Sequence, residues 1–270
     1  CSPERMPHRG VERGRMMERN GLAHRNREKK IGRWILGICG FIFISFFLAP
    51  LTLEPGTVTN VDGRANAFDF FDDEGWGSSG NEGIAQNQGD DHLHEGYHWS
   101  EMNPYAGFVY AFGDLNCHQK HERSWVLNDN QLPVCTRDLG IFAGMILAGV
   151  MFTQRGWNRW TVRDTCLSVL PESILESTYK NNRRTLLWIG CGLLLCSPLI
   201  FDGFLQLLTS YESDNLKRII TGLPFGFGLG ILMCSMFAAR ADAFVGAANV
   251  LLPGDAKFVL ATTEPAQEAE

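Results

Sequence analysis

Apolar and polar positions fall into long blocks along this chain. Residues 34–54, WILGICGFIFISFFLAPLTLE, carry no charge until their last position. That is about the 20 residues a helix needs to cross a hydrocarbon core of about 30 Å. Residues 185–208 form a second block, interrupted only by Asp202 and Gln206, and residues 219–239 form a third. Residues 139–153, LGIFAGMILAGVMFT, are a shorter fourth, long enough only if the helix begins near Val134. The pattern predicts an all-α fold, an integral membrane bundle of four transmembrane helices. Residues 104–116, PYAGFVYAFGDLN, are apolar but too short to span unaided, which predicts an interfacial or re-entrant helix or a short tilted fifth span. Residues 156–180 mix Trp157, Trp160, Val162, Leu167, Val169 and Leu170 with charges, the pattern of an amphipathic helix on the cytoplasmic membrane surface.

Charge then orients the blocks. Residues 1–33 contain ten Lys/Arg against four Glu, and residues 154–184 add Arg155, Arg159, Arg163, Lys180, Arg183 and Arg184. Residues 55–138 hold only Arg64, Lys120, Arg123 and Arg137 against fourteen acids. Because Lys and Arg near membrane ends stay in the cytoplasm, the first two segments are expected inside and the third outside. A fifth span at 104–116 would reverse every later orientation, which the arginines of 155–184 oppose. The expected organisation is a basic cytoplasmic tail (1–33), an uncleaved anchor (34–54), an acidic His-containing external loop (55–103), a membrane domain (104–240) and a cytoplasmic tail (241–270). The expected location is the plasma membrane, multi-pass, with both termini cytoplasmic. The formal net charge of −6 hides this split. Anionic lipid headgroups account for the basic tail, so the bilayer is the expected partner and nucleic acid is not.

Small residues add a packing signal. Gly140 and Gly144 are four apart, as are Gly222, Gly226 and Gly230, a spacing that lets helix backbones approach closely in lipid. It serves packing within one chain or, alternatively, a homo-oligomer through the Gly-rich faces.

The candidate chemistry lies in NCHQKHERSWVLNDNQLPVCTRDLG, residues 116–140. The expected topology puts Cys117, His118, Gln119 and Arg123 just outside the membrane, and Cys135 and Arg137 at the outer end of the 139–153 helix. Asp202 and Gln206, one turn apart, fall near the outer end of the second block, and Arg218 begins the last helix from the same side. An ionisable residue at membrane depth is costly and faces a bundle interior or a cavity, so this set is a candidate site. An ion pair of Asp202 with Arg218 or Arg137 would instead serve as a helix clamp. Three readings stand for the cysteines: a disulfide closing the 117–135 loop, worth about 3 kcal/mol by chain entropy; a metal site with His118 or His121, a set suited to Zn²⁺; or a reactive thiol beside an arginine. His121 is the better-placed histidine, since adjacent Cys117 and His118 do not easily bind one ion. In DDHLHEGYHW, His92, His94 and His98 with neighbouring carboxylates are a second metal candidate, against the plain reading of a solvated loop.

The motif Cys117-His118-Gln119, Arg123-Ser124, then Leu132-Pro133-Val134-Cys135-x-Arg137-x-x-Gly140 and Gly144 resembles the signature of the membrane-protein family called domain of unknown function 2085. Pro198, Asp202-Gly203, Gln206, Asn215-x-x-Arg218 and Gly222 match its second half, so the resemblance covers about residues 104–235. It implies a small multi-helix membrane domain, mostly archaeal and bacterial, and no assigned activity. The leading expectation from the residues themselves is a polar site for a small anionic ligand or lipid headgroup, built from Gln119, Arg123, Arg137, Asp202, Gln206 and Arg218. Two alternatives stand beside it: a membrane metal-binding protein or metalloenzyme using Cys117, His121 and Cys135, or a structural subunit of a membrane assembly.

Overall fold

The computed structural model describes residues 25–58, 99, 102–117, 121–159 and 161–240, with the backbone of 17–18, 21–22, 250–251 and 257–258. The expected spans are all helical: α1 (Asn26–Leu51), α3 (Thr136–Arg155), α6 (Arg184–Leu208) and α7 (Asn215–Ala238). These four are long and apolar enough to cross a membrane. The block at 139–153 reaches that length because its helix begins three residues earlier, at Thr136. Helix α1 begins well before the apolar run, since Asn26–Arg33 extend it with charged residues that apolarity cannot reveal. Between α1 and α3 lies α2 (Pro104–Asn116), a helix of 13 residues that rises about 20 Å and cannot span by itself. Described strands are three antiparallel pairs of two-residue strands: β1 (Met17–Glu18) with β2 (Gly21–Leu22), β3 (Val126–Leu127) with β4 (Asn130–Gln131), and β5 (Val250–Leu251) with β6 (Lys257–Phe258).

The chain divides into two compact units: residues 1–34, 149–193 and 231–270, and residues 35–148 and 194–230. The second unit has an apolar core of Phe46, Ala49, Val58, Met102, Ala106, Val109, Tyr110, Leu132, Val134 and Leu139. Within it α3 and α7 approach to backbone distance. A Cβ at Gly144 would run into the Leu223 carbonyl oxygen, and one at Gly226 into that of Ile141. The glycine rows therefore pack against each other inside the chain. Helix α6 is the least covered span, with 6% of its apolar window buried against 33–44% for the others, and Asp202 is its buried residue. Its apolar side chains, Leu193, Leu194, Phe201 and Leu207 among them, are exposed in the isolated chain, as a lipid-facing helix requires.

In the first unit, residues 156–180 differ from the expected single surface helix. They form α4 (Val162–Leu167) and α5 (Glu172–Lys180), separated at Pro171. Thr161 caps α4, its hydroxyl oxygen accepting from Asp164 N at 3.1 Å. Two charges of this stretch turn inward. Asp164 and Arg159 are fully buried, and the Asp164 carboxylate accepts from Thr161 Oγ1 at 2.6 Å, Tyr179 Oη at 2.7 Å, Arg163 Nη2 at 3.0 Å and Arg184 Nη1 at 3.4 Å. Arg159 Nη1 donates to Tyr179 Oη at 3.0 Å. In the same unit two arginines close helix ends, where the last carbonyls lack partners. Arg25 donates to Gly156 O and Gln154 O, both at 2.8 Å, and lies 4.9 Å over the Trp157 ring. Arg27 donates to the carbonyls of Phe237 and Ala238 at the end of α7.

Candidate functional site

Local structure explains how residues 117 and 135 meet. Asn103 caps α2, its Oδ1 accepting from Ala106 N at 2.9 Å, and Pro104 occupies the first turn, where its missing N–H costs nothing. One turn from its end, α2 presents Gly113 to the 132–135 segment so closely that a Cβ would meet the Pro133 carbonyl oxygen. Cys117 N then donates to Gly113 O at 2.8 Å, which holds residue 117 beside that segment.

The intervening chain is pinned too. A 3-10 turn, His121–Arg123, is followed by Ser124, whose Oγ donates to Val134 O at 3.0 Å. The β3–β4 hairpin turns on Asn128 and Asp129, with φ of 55° and 54°, the left-handed pair a two-residue I′ turn requires and these residue types tolerate. Asn130, fully buried, accepts from Val58 N at 2.8 Å and donates to Glu54 O at 3.0 Å, tying the hairpin to the end of α1.

Two groups of side chains result, both within the second unit. The first is Cys117, Cys135 and Asp138, whose candidate ligand atoms all lie within 4.8 Å of one another. Cys117 is buried, Cys135 is 9% exposed, and both are free thiols. The Cys135 thiol donates to Asp138 Oδ2 at 3.2 Å. Hydrogen bonding with Cys135, then burial, pushes the Cys117 thiol well above its ordinary pKa.

The second group is built on Asp202, whose carboxylate pairs with Arg137 and accepts from Gln206 Nε2 at 2.7 Å and Ser213 Oγ at 3.2 Å. Arg218, 2% exposed, donates from Nη2 to Gln206 Oε1 at 2.7 Å and from Nε to Ser213 O at 2.9 Å. Arg123 lies 3.9 Å from Glu212, whose side chain is 61% exposed. The first turns of α3 and α7 meet here, with Thr136 Oγ1 donating to Asn215 Oδ1 at 3.0 Å. Three guanidiniums thus gather where two long helices present their positive ends. The buried Nε atoms of Arg123 and Arg137 have no hydrogen-bond partner among the described residues.

Of the expected site residues, the structure brings Arg123, Arg137, Asp202, Gln206 and Arg218 into one cluster, and places Cys117 and Cys135 together. His121 is exposed on its turn and is not part of the Cys-Asp group. His118 and Gln119, like His92, His94 and His98, lie outside the described residues. Sequence reading missed Asp138 and Ser213. Asp138 had a signal, since an acid three residues after Cys135 at a helix start falls on the same face; Ser213 had none.

The fold defines a multi-span helical membrane protein that carries these two polar clusters in its second unit. The chain belongs to the DUF2085 family, described as "Predicted membrane protein", whose pattern matches residues 117–232. It is similar to an archaeal protein of Methanothermobacter thermautotrophicus described as "Uncharacterized protein", 33% identical over 116 residues that make up 43% of this chain and 82% of that relative. A second archaeal relative, from Methanocaldococcus jannaschii, is 26% identical over 129 residues, 48% of this chain and 68% of its own. No solved structure matches the chain.

Proposed function

We propose that the protein binds a small oxyanion, carried by a lipid headgroup or free in solution, through Arg123, Arg137 and Arg218. The observation that supports this best is the pair of buried Nε–H donors on Arg123 and Arg137, which have no acceptor among the described residues. A buried donor left unmade is costly, and an oxyanion takes two parallel N–H bonds from one guanidinium. Asp202 and Gln206 do not meet the anion in this reading. They hold Arg137 and Arg218 in place through the bonds described above.

Arg123 is the clean test. Its ion-pair partner is the exposed Glu212, and the Asp202 carboxylate is bonded by Arg137, Gln206 and Ser213 instead, so Arg123→Ala leaves the Asp202 network whole. Purified protein in detergent is titrated with inorganic phosphate and, separately, with vesicles containing phosphatidylglycerol. Arg123→Ala is expected to weaken binding of the true ligand about 10- to 100-fold, the worth of a charge-assisted bond, with the melting temperature unchanged. Which titration responds distinguishes free anion from headgroup. If wild-type protein binds neither, the arginines are only helix clamps. That structural reading draws support from the two bonds by which Arg218 holds Gln206 and Ser213.

We also propose that the protein lies in the plasma membrane with both termini cytoplasmic and the arginine cluster at the outer face. The support is the basic content of residues 1–33 and 154–184 against the acidic 55–138. A cysteine introduced at exposed Thr57 is expected to react with a membrane-impermeant maleimide in intact cells, and one at exposed Asn181 only after lysis. The reverse pattern would invert the topology.

A further inference from the structure

We infer that Cys117, Cys135 and Asp138 form a binding site for a thiophilic divalent cation of the zinc type, with a fourth position left for water or an exchangeable anion. The three ligand atoms already lie within 4.8 Å of one another. Two sulfurs bonded to a tetrahedral zinc at about 2.3 Å stand about 3.8 Å apart, so closure needs movements of an ångström or less. Cys135 and Asp138 belong to one helix start, three residues apart on one face, and Cys117 is brought to them by the Gly113–Pro133 contact. Sequence analysis favoured a histidine as third ligand, yet His121 is outside the group and a carboxylate stands in that place.

The donor set selects the ion. Two sulfurs reject Mg²⁺ and Ca²⁺, and a carboxylate with them suits borderline Zn²⁺ better than Cu⁺, which prefers sulfur alone. Each thiol releases its proton to solvent on binding, so two thiolates and one carboxylate surround a 2+ ion. The positive Arg137 and Arg218 nearby balance the resulting single negative charge.

Two simpler accounts leave something over. An acid in the first turn of a helix is common for dipole reasons, but that does not explain why this carboxylate lies within 4.8 Å of both thiols. A Cys117–Cys135 disulfide would strip Asp138 of its Cys135 thiol donor, leaving a carboxylate against two sulfurs that donate nothing. A cation satisfies all three groups together.

The test uses the full chain purified from cells grown with zinc. Wild-type protein is expected to carry about one zinc per chain, measured by elemental mass spectrometry. Asp138→Asn, nearly isosteric, is expected to lower zinc affinity at least about tenfold, and Cys117→Ser to abolish binding. Because a serine variant can fail by misfolding, the second measurement needs no mutation: both thiols of wild-type protein are alkylated with and without a zinc chelator. Alkylation of both released by chelator alone supports the site. Alkylation only after reduction shows a disulfide and overturns it, and so does immediate reactivity without bound zinc. The site does not depend on the anion reading, because Arg123→Ala is expected to leave zinc content unchanged.

Discussion

Asp202→Ala is expected to lower the unfolding free energy by about 3–5 kcal/mol, the cost of stripping one partner from a buried ion pair. The residue is 6% exposed, and its carboxylate serves Arg137, Gln206 and Ser213 together. Without it the Arg137 guanidinium loses its ion-pair partner, and Gln206 and Ser213 each lose an acceptor. Asp202→Asn keeps one oxygen for these donors but removes the charge, so an intermediate loss is expected. The double variant Asp202→Leu/Arg137→Leu removes both charges and is expected to recover much of the stability. Denaturant titration in micelles, followed by tryptophan fluorescence, measures all three. A loss under about 1 kcal/mol in Asp202→Ala would mean that Arg137 is not held by this carboxylate.

Asp164→Ala is expected to cost a similar about 3–5 kcal/mol in the other unit. The carboxylate is fully buried and bonded by Thr161, Tyr179, Arg163 and Arg184, and behind Tyr179 stands buried Arg159. Removing it takes an acceptor from Arg184, Arg163, Tyr179 and Thr161 at one stroke. A pH signature accompanies the loss. Burial alone would raise the Asp164 pKa, but hydrogen bonds from Thr161, Tyr179 and Arg163 and the charge of Arg184 outweigh it and hold the group below its ordinary value. A depressed folded-state pKa means that this stabilisation is complete above the unfolded-state value, about 3.9. It is lost as pH falls through the lower folded-state value. Wild-type stability is therefore expected to drop below about pH 4, and the Asp164→Ala curve to be flatter there. Parallel curves for the two proteins would show that Asp164 is not ionised in the fold.

Much of the fold was legible because lipid makes the rule simple: a helix that crosses must be apolar for its whole width. The runs at 34–54, 185–208 and 219–239 announced α1, α6 and α7, and Arg137, Asp202, Gln206 and Arg218 were conspicuous as polar groups near them. What escaped was fixed by contacts between distant positions. Nothing in the local pattern of residues 116–135 shows that Asn130 reaches the end of α1, or that Gly113 lets Pro133 and hence Cys135 approach Cys117. The break in 156–180 was written in Thr161 and Pro171, but the apolar periodicity of the tryptophans and leucines overshadowed it. The burial of Arg159 and Asp164 could not be read from a charge pattern that usually marks a solvated face.

The helix-end contacts of Arg25 and Arg27 also impose an order on biogenesis. Arg27 bonds the carbonyl of Ala238, a residue 211 positions later in the chain. At ribosomal speeds of about 5–20 residues per second, roughly 10–40 s pass between the synthesis of the two. The arginine is made before its acceptor, which ends α7. In that interval the first span stands in the bilayer with its cationic end unfinished, in reach of water and lipid phosphates. The segment around Arg27 is thus completed by the end of α7, and a nascent protein stalled before residue 237 lacks that closure.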